Sequence, residues 1–223
     1  MFLNKIDSRY VKRTDKRICQ GDILRDINIL DNYSIDRSGE LEYDELNLPY
    51  IIVMTQDCDL EGDFKNRSQT APEKHDKFLR TILMCPAYIA SDFRGGKHLE
   101  DLGLNMEPWN SKNFKEIKDQ NKDRFHFLDQ DQELQLPELV IDFKHYYAIP
   151  RNTLYGLYDE HYLATINQLF REFLSQRFAN YLSRIGLPQI REGKIDCKEI
   201  RTNDLLAIIQ CVYIIHNSYP PVW

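Results

Sequence analysis

The chain has 223 residues, 42% hydrophobic and 29% charged, with a formal net charge of −6. A chain of this length can bury a sizeable core without staples, and its acidic balance argues against a protein whose whole surface binds nucleic acid. No apolar run approaches the ~18 residues that span a bilayer, the start "MFLNKIDSRYVKRTDKR" has no apolar h-region of a secretory signal, and five cysteines at scattered spacings make no disulfide framework, so the expectation is a reducing cytoplasm and no membrane.

Arg9, Lys12, Arg13, Lys16 and Arg17 form a basic cluster near the start, either a solvated face or a phosphate-contacting arm. Gly21 and Asp22 read as a turn, and Ile23, Ile27 and Ile29 as the apolar positions of a first strand. Residues 31–49 are polar and turn-rich and read as a long hairpin connection. Residues 50–55 are almost continuously apolar and β-branched, which predicts a strand buried on both faces. Ile51, Ile52 and Val53 should therefore be nearly fully buried between paired strands. Residues 61–76 mix Gly, Asn, Ser, Pro and charge and read as a loop. "FLRTILMCPAY" (78–88) reads as a strand ended by Pro86, and residues 91–123 as short helices with Trp109 docked on one of them. "RFHFL" (124–128) alternates as a strand does, and "LPELVIDFKHYYAIP" (136–150) is the longest β candidate.

The pattern changes after Leu154. Leu163, Ile166, Phe170, Phe173, Phe178, Tyr181, Leu182 and Ile185 follow three-and-four spacing, which predicts one amphipathic helix ended by Gly186 and Pro188. Phe170, Phe173, Phe178 and Ile185 should face the core, and Arg171, Glu172 and Arg184 water. Residues 202–219 read as a second helix capped by Thr202 or Asn203.

The stretches "GDIL", "LPYIIVMTQDCD", "FLRTILMCPAY" and "IDFKHYYAIPRNTL" resemble successive barrel strands of PemK/MazF-like proteins, over roughly residues 20 to 155. That resemblance implies an SH3-like barrel, and the best-known members of the group are toxin endoribonucleases. Gln56, Cys58, Asp59, "RFHFL" and "FANYLSRIGLP" also resemble a set of uncharacterised bacterial proteins with a Gln-x-Cys-Asp strand end. The chain departs from the ribonuclease pattern. Leu48-Pro49 stands where those members carry Arg-Pro, an arginine able to stabilise charge on a phosphoryl group. Ala87-Tyr88 stands near their Thr or Ser.

Gln56, Asp57, Cys58 and Asp59 raise three chemical readings. Asp57, Asp59, Glu61, Gly62 and Asp63 match the early positions of an EF-hand loop, but Ser68 stands where the bidentate Glu belongs. Cys58 as a nucleophile needs a nearby imidazole or cation, with His75, His98 and His126 available through space. The alternative is an inert cysteine buried behind its strand. The third reading is a structural turn, in which Gln56, Asp57 and Asp59 cap the strand end and present carboxylates at a barrel rim to a basic partner or polar ligand. A zinc site would need Cys58, Cys85 and histidines without any paired spacing. Asp142 and Lys144 alternate onto one strand face and, with Asp57 or Asp59, could form a metal-dependent nuclease cluster; the competing reading is a salt-bridged surface face. "FRGGKH" is not a P-loop, since no Ser or Thr follows Lys97.

The resulting expectation is an α+β protein: a decorated SH3-like (PemK/MazF-like) β-barrel over 1–155 and a helical extension over 156–223 packed on it. Its expected role is a non-catalytic interaction or ligand-sensing module with a protein partner or effector, without cofactor or resident metal, plausible as an accessory of a bacterial toxin or antiphage system. The binding residues are then Gln56, Asp57, Cys58 and Asp59. Nucleic acid is not the favoured partner, and self-association stays open. The alternatives are a divergent MazF-like endoribonuclease and a cysteine- or metal-dependent enzyme, with Cys58, Asp59, Asp142 and Lys144 as catalytic candidates.

Overall fold

A computed structural model describes residues 8–69 and 74–184, apart from the side chains of 31–33. The described residues fall within one compact unit, Met1–Arg184. The expected helix end at Gly186 and Pro188, Ile185 and the second helix over 202–219 lie outside them.

The fold is α+β, built on a curled, wholly antiparallel sheet of eight strands. In chain order these are β1 (Tyr10–Val11), β2 (Asp22–Ile35), β3 (Leu41–Val53), β4 (Thr81–Ile89), β5 (Phe125–Leu128), β6 (Leu139–Asp142), β7 (Tyr147–Pro150) and β8 (Tyr162–Ile166). The helices are α1 (Asp57–Arg67), α2 (Ala90–Gly95), α3 (Ser111–Lys118), α4 (Arg151–His161) and α5 (Gln168–Leu182). Strand order is β1-β8-β2-β3-β4-β6-β5, with β7 also paired to β4. Among the described residues no helix is long and apolar enough to cross a membrane.

Ile51, Ile52 and Val53 are each 0% exposed, and β3 pairs with β2 on one side and β4 on the other. Successive strand residues face opposite ways. Ile51 and Val53 accordingly join a cluster with Leu60 of α1 and Leu154 and Tyr158 of α4. Ile52 and Met54 join another with Leu174 and Phe178 of α5. A third cluster seats α2 and α3 on β5 and β6 through Phe93, Phe114, Ile117 and Val140. Trp109 stacks on Phe93 and meets Phe125 edge-on.

Several expectations are corrected. Pro86 does not end its strand; it lies inside β4 opposite Ile51. The other edge of β4 is taken by β7 at Thr81–Met84 and by β6 at Ala87–Ile89. Pro86 falls in the gap between them, where a missing N–H breaks no ladder bond. The single strand expected over 136–150 is two, β6 and β7, separated by a turn. Residues 31–49 are mostly ladder, and the connection itself is the short turn of 36–40, held by Asp36, whose Oδ1 accepts from Ser38 and Glu40 N–H at 2.8 Å each.

Two larger corrections concern helices. Residues 57–67, expected mainly as loop, form α1, with Glu61–Lys65 and Asp63–Arg67 pairs at i,i+4 supporting it. The helix expected from Leu163 begins only at Gln168. The residues before it form β8, inserted between β1 and β2, and Asn167 caps the new helix by accepting from Gln168 N–H at 2.7 Å. The register shifts with the start. Leu174 and Phe178 are buried, while Phe173, expected in the core, is 46% exposed. Arg171, expected in water, packs its stem against Gly21 and reaches Asp57. Glu172 and Arg184 are exposed as expected.

Candidate functional site

The motif that drew attention in the sequence forms the start of α1, not a turn closed on itself. Gln56 is the N-cap residue but makes no side-chain cap bond. Asp57 is the anchor. Its carboxylate accepts from Gln20 N–H at 3.2 Å and from Arg17 at 3.2 and 3.4 Å, with Arg171 at 3.7 Å. Burial raises its pKa, but the Arg17 bonds and charge outweigh burial and the net direction is down. Gln56, Cys58 and Asp59 are exposed. The inert, buried cysteine is thus corrected: helix geometry turns Cys58 outward once the strand has ended. Its Sγ lies 3.7 Å from Gln56 Oε1 and 3.8 Å from Asp59 Oδ1. A nucleophilic thiol is activated by an imidazole or a cation, whereas these neighbours are oxygens. His126 is instead buried on β5, and His75 packs edge-on against Phe78.

The helix also disperses the carboxylates of the EF-like pattern. Glu61 pairs with Lys65, and buried Asp63 accepts from Arg67, Arg151 and Leu79 N–H. Among the described residues no three His, Cys, Asp or Glu side chains converge as a metal site.

Each base of the N-terminal cluster has a partner within the chain. Arg9 pairs with Asp129, Lys12 donates to the Tyr162 and Leu163 carbonyls, and Lys16 pairs with Asp159. Arg13 bonds Asp15 and reaches Asp22 at 3.3 Å, while Arg17 holds Asp57. The structure thus joins the basic segment to the start of α1, through Arg17 and Asp57.

Asp142 and Lys144 do not share a strand face. Asp142 ends β6 fully buried, gripped by Arg124 at 2.8 and 2.6 Å, with His145 Nε2 at 3.6 Å. Lys144 is exposed in the next turn and gives Asp142 only its backbone N–H, at 3.0 Å. The surface salt-bridge reading is corrected because the acid faces inward and Arg124 is its partner. None of these contacts comes from the start of α1.

Sequence reasoning missed the cleft beside His98. About 180 Å³ in volume, it lies between the Leu46–Pro49 stretch of β3, the end of β4 at Tyr88 and the turn carrying His98, with Asn47, Asp92, Lys97 and Asp101 among its walls. The imidazole packs between Tyr88 and Phe93, with ring centroids at 4.9 and 4.4 Å, and its buried Nδ1 has no hydrogen-bond partner among the described residues. Burial pushes its pKa down to about 4, against a weaker upward pull from Asp142. A base this weak is poorly matched to proton transfer near neutrality, but a neutral imidazole can hydrogen-bond a polar ligand.

It also missed the shape of β2 and β3. β8 covers β2 only at Asp22–Leu24, and β4 covers β3 only at Tyr50–Val53. Beyond these pairs the two strands run on as a two-stranded arm. Ile27 to Ile35 alone spans about 25 Å at the usual strand rise. From Leu30 through Glu45 every side chain described is exposed. Asp36, Glu40, Glu42, Asp44 and Glu45 line this part against a single Arg37. Alternation sets Leu41 and Tyr43 on one face with Ile35, which pairs with Leu41. These three are 57%, 54% and 70% exposed. Glu42 and Asp44 occupy the other face. Glu45 follows Leu41 and Tyr43 by the same alternation, so the arm is acidic on one side and, apart from Glu45, apolar on the other, with unpaired backbone along both edges among the described residues. Alternation of this kind is present in the sequence, but the polar, turn-rich residues 31–49 read there as a long hairpin connection.

No protein-family model, curated protein or solved structure matches the chain.

Proposed function

We propose that the chain is a non-catalytic interaction module and that the β2–β3 arm is its contact surface. The observation that carries this reading is the arm itself: an exposed ribbon that sets Glu42 and Asp44 opposite an apolar Ile35, Leu41 and Tyr43 face. The matching partner is a protein that offers lysine or arginine to the acidic face and apolar side chains to the other. Unpaired strand edges also suit a partner that adds a strand of its own. Charge disfavours two copies meeting arm to arm, because acidic faces repel. The acidic recognition surface expected at Gln56, Asp57, Cys58 and Asp59 is thereby assigned chiefly to the arm.

The finer placements rest on the sequence resemblance. They are an SH3-like barrel of the PemK/MazF kind for the curled sheet, and a cytoplasmic accessory role in a bacterial toxin or antiphage system. The weak basicity of His98 supports binding over acid–base catalysis at its cleft.

The test replaces residues 31–44 by an Asn-Gly hairpin turn and compares co-purification with the full chain. A specific partner should be retained by the full chain at low salt, lost as salt screens the acidic face, and absent with the shortened arm at unchanged melting temperature. Equal recovery of the same partner by both chains would refute the arm as the contact surface.

A further inference from the structure

The cleft beside His98 combines two kinds of wall. Its floor is apolar: Leu46, Leu48 and Leu99 are buried, and Pro49 and Ile89 half-buried. Its rim is polar and exposed, and carries Asn47, Asp92, Lys97 and Asp101. Lys97 N–H donates to the Asp92 carbonyl at 2.9 Å, so these two side chains start from neighbouring points of the backbone. Their charges nevertheless do not close on each other. Among the described residues the Lys97 ammonium has no ion-pair or hydrogen-bond partner, and the Asp92 carboxylate accepts only from the Ser91 hydroxyl, at 3.2 Å. Asn47 gives an amide N–H to Asn28 at 2.7 Å, which leaves its own oxygen as an acceptor. The turn that carries Lys97 is pinned: Gly96 sits at φ +75°, so close to the Met106 carbonyl that an added Cβ would collide with it.

An apolar floor with a few placed polar groups is the composition of a small-ligand site. The volume, about 180 Å³, is below the roughly 300–1,000 Å³ of sites for larger ligands, so the occupant is small. The rim offers charge of both signs, so a ligand of one sign would meet repulsion as well as attraction. We propose that the cleft binds a free α-amino acid with an aliphatic side chain, of the leucine class. The carboxylate meets Lys97, the ammonium meets Asp92 and the Asn47 oxygen, and the aliphatic side chain lies on the Leu46, Leu48 and Leu99 floor, where its burial is favourable. An α-amino acid holds its two charges one carbon apart, which suits two rim groups that stand side by side without pairing. The pinned turn lowers the cost of ordering the site around its ligand. This site goes beyond the arm and does not depend on it.

The test titrates the full chain by calorimetry at low salt with leucine, with isoamylamine, which lacks the carboxylate, and with isocaproate, which lacks the ammonium. Leucine should bind about fivefold more tightly than either, the upper range for one ion pair open to solvent. Lys97→Met should bring leucine down to the affinity of the amine without weakening the amine. Asp92→Asn should bring leucine down to the affinity of isocaproate without weakening isocaproate. Both residues are exposed, so neither change should lower the melting temperature. The chain with the shortened arm should bind leucine unchanged, so the arm and this site fail separately. No saturable leucine binding, leucine affinity no higher than that of either probe, or leucine affinity that ignores both substitutions would overturn the proposal.

Discussion

Neighbouring carboxylates at the start of α1 have unequal roles. Asp57 gathers Arg17, Arg171 and the Gln20 N–H, whereas Asp59 is exposed and its carboxylate lies beside the Cys58 thiol. Asp57→Ala should therefore cost about 2 kcal/mol, the scale of lost charge-assisted bonds at a half-buried group. Asp59→Ala should stay within ~0.5 kcal/mol, as an open surface site does; urea unfolding of both variants checks the order. His126 gives a second expectation. In the unfolded chain a histidine takes up its proton near pH 6.5, but in the fold burial pushes its pKa down to about 3. Between those values the unfolded state binds more protons, so stability falls with acidification by about 1.4 kcal/mol per pH unit from this residue. His126→Leu removes that component, so unfolding at pH 7, 5 and 4 should show the variant gaining on the wild type at each step. Asp22 acts in the opposite direction. Burial pushes its pKa up to about 6 despite bonds from Thr165, the Cys19 N–H, Arg13 and Tyr158, so its share of stability is complete at low pH and is lost as pH rises through about 6. The difference between variant and wild type, not the raw profile, isolates His126.

At the scale of elements, legibility followed burial. The run Ile51–Val53 is enclosed on both faces, and its continuous β-branched character signalled that directly. The 162–182 stretch misled because Leu163, Ile166 and Phe170 fall at helical spacing by coincidence. The first two belong to β8 and the third to α5, and Asn167 marks the boundary as an N-cap. α1 buries only Leu60 and Asp63, so it lacks an apolar stripe; its signal lay in two acid-to-base pairs four residues apart. The true stripe of α5 has Leu174 and Phe178 at its centre, with Phe170 and Tyr181 packed beside them. Leu174→Ala should cost ~2–5 kcal/mol in thermal or urea unfolding. Phe173→Ala should cost clearly less, since nearly half of that residue already meets water.

At the scale of the molecule, the α+β, barrel-like class was legible, but the strand count was not: 136–150 read as one strand and β8 as part of a helix. The sites did not follow, because they depend on pairs distant in sequence. Tyr88 meets His98 from β4, His126 meets Phe173 across nearly fifty residues, and Arg124 reaches Asp142 from the turn before the neighbouring strand. No local spacing encodes such meetings. The arm differs: its strands are adjacent in sequence, and its alternation was hidden only by polar composition on exposed faces.

β8 lies between β1 and β2, yet it starts 140 residues after the start of β2. A ribosome needs on the order of ten seconds to bridge that interval. Through that time the nascent chain carries the outer edge of β2 unpaired, and β1 has no strand to join. Tyr10 and Val11 can enter the sheet only after Tyr162–Ile166 has emerged, so β1 is made before the other strands and is among the last to be fixed. A stop codon or a cleavage placed anywhere before Tyr162 would leave the same edge open permanently, and such edges draw chains into aggregates.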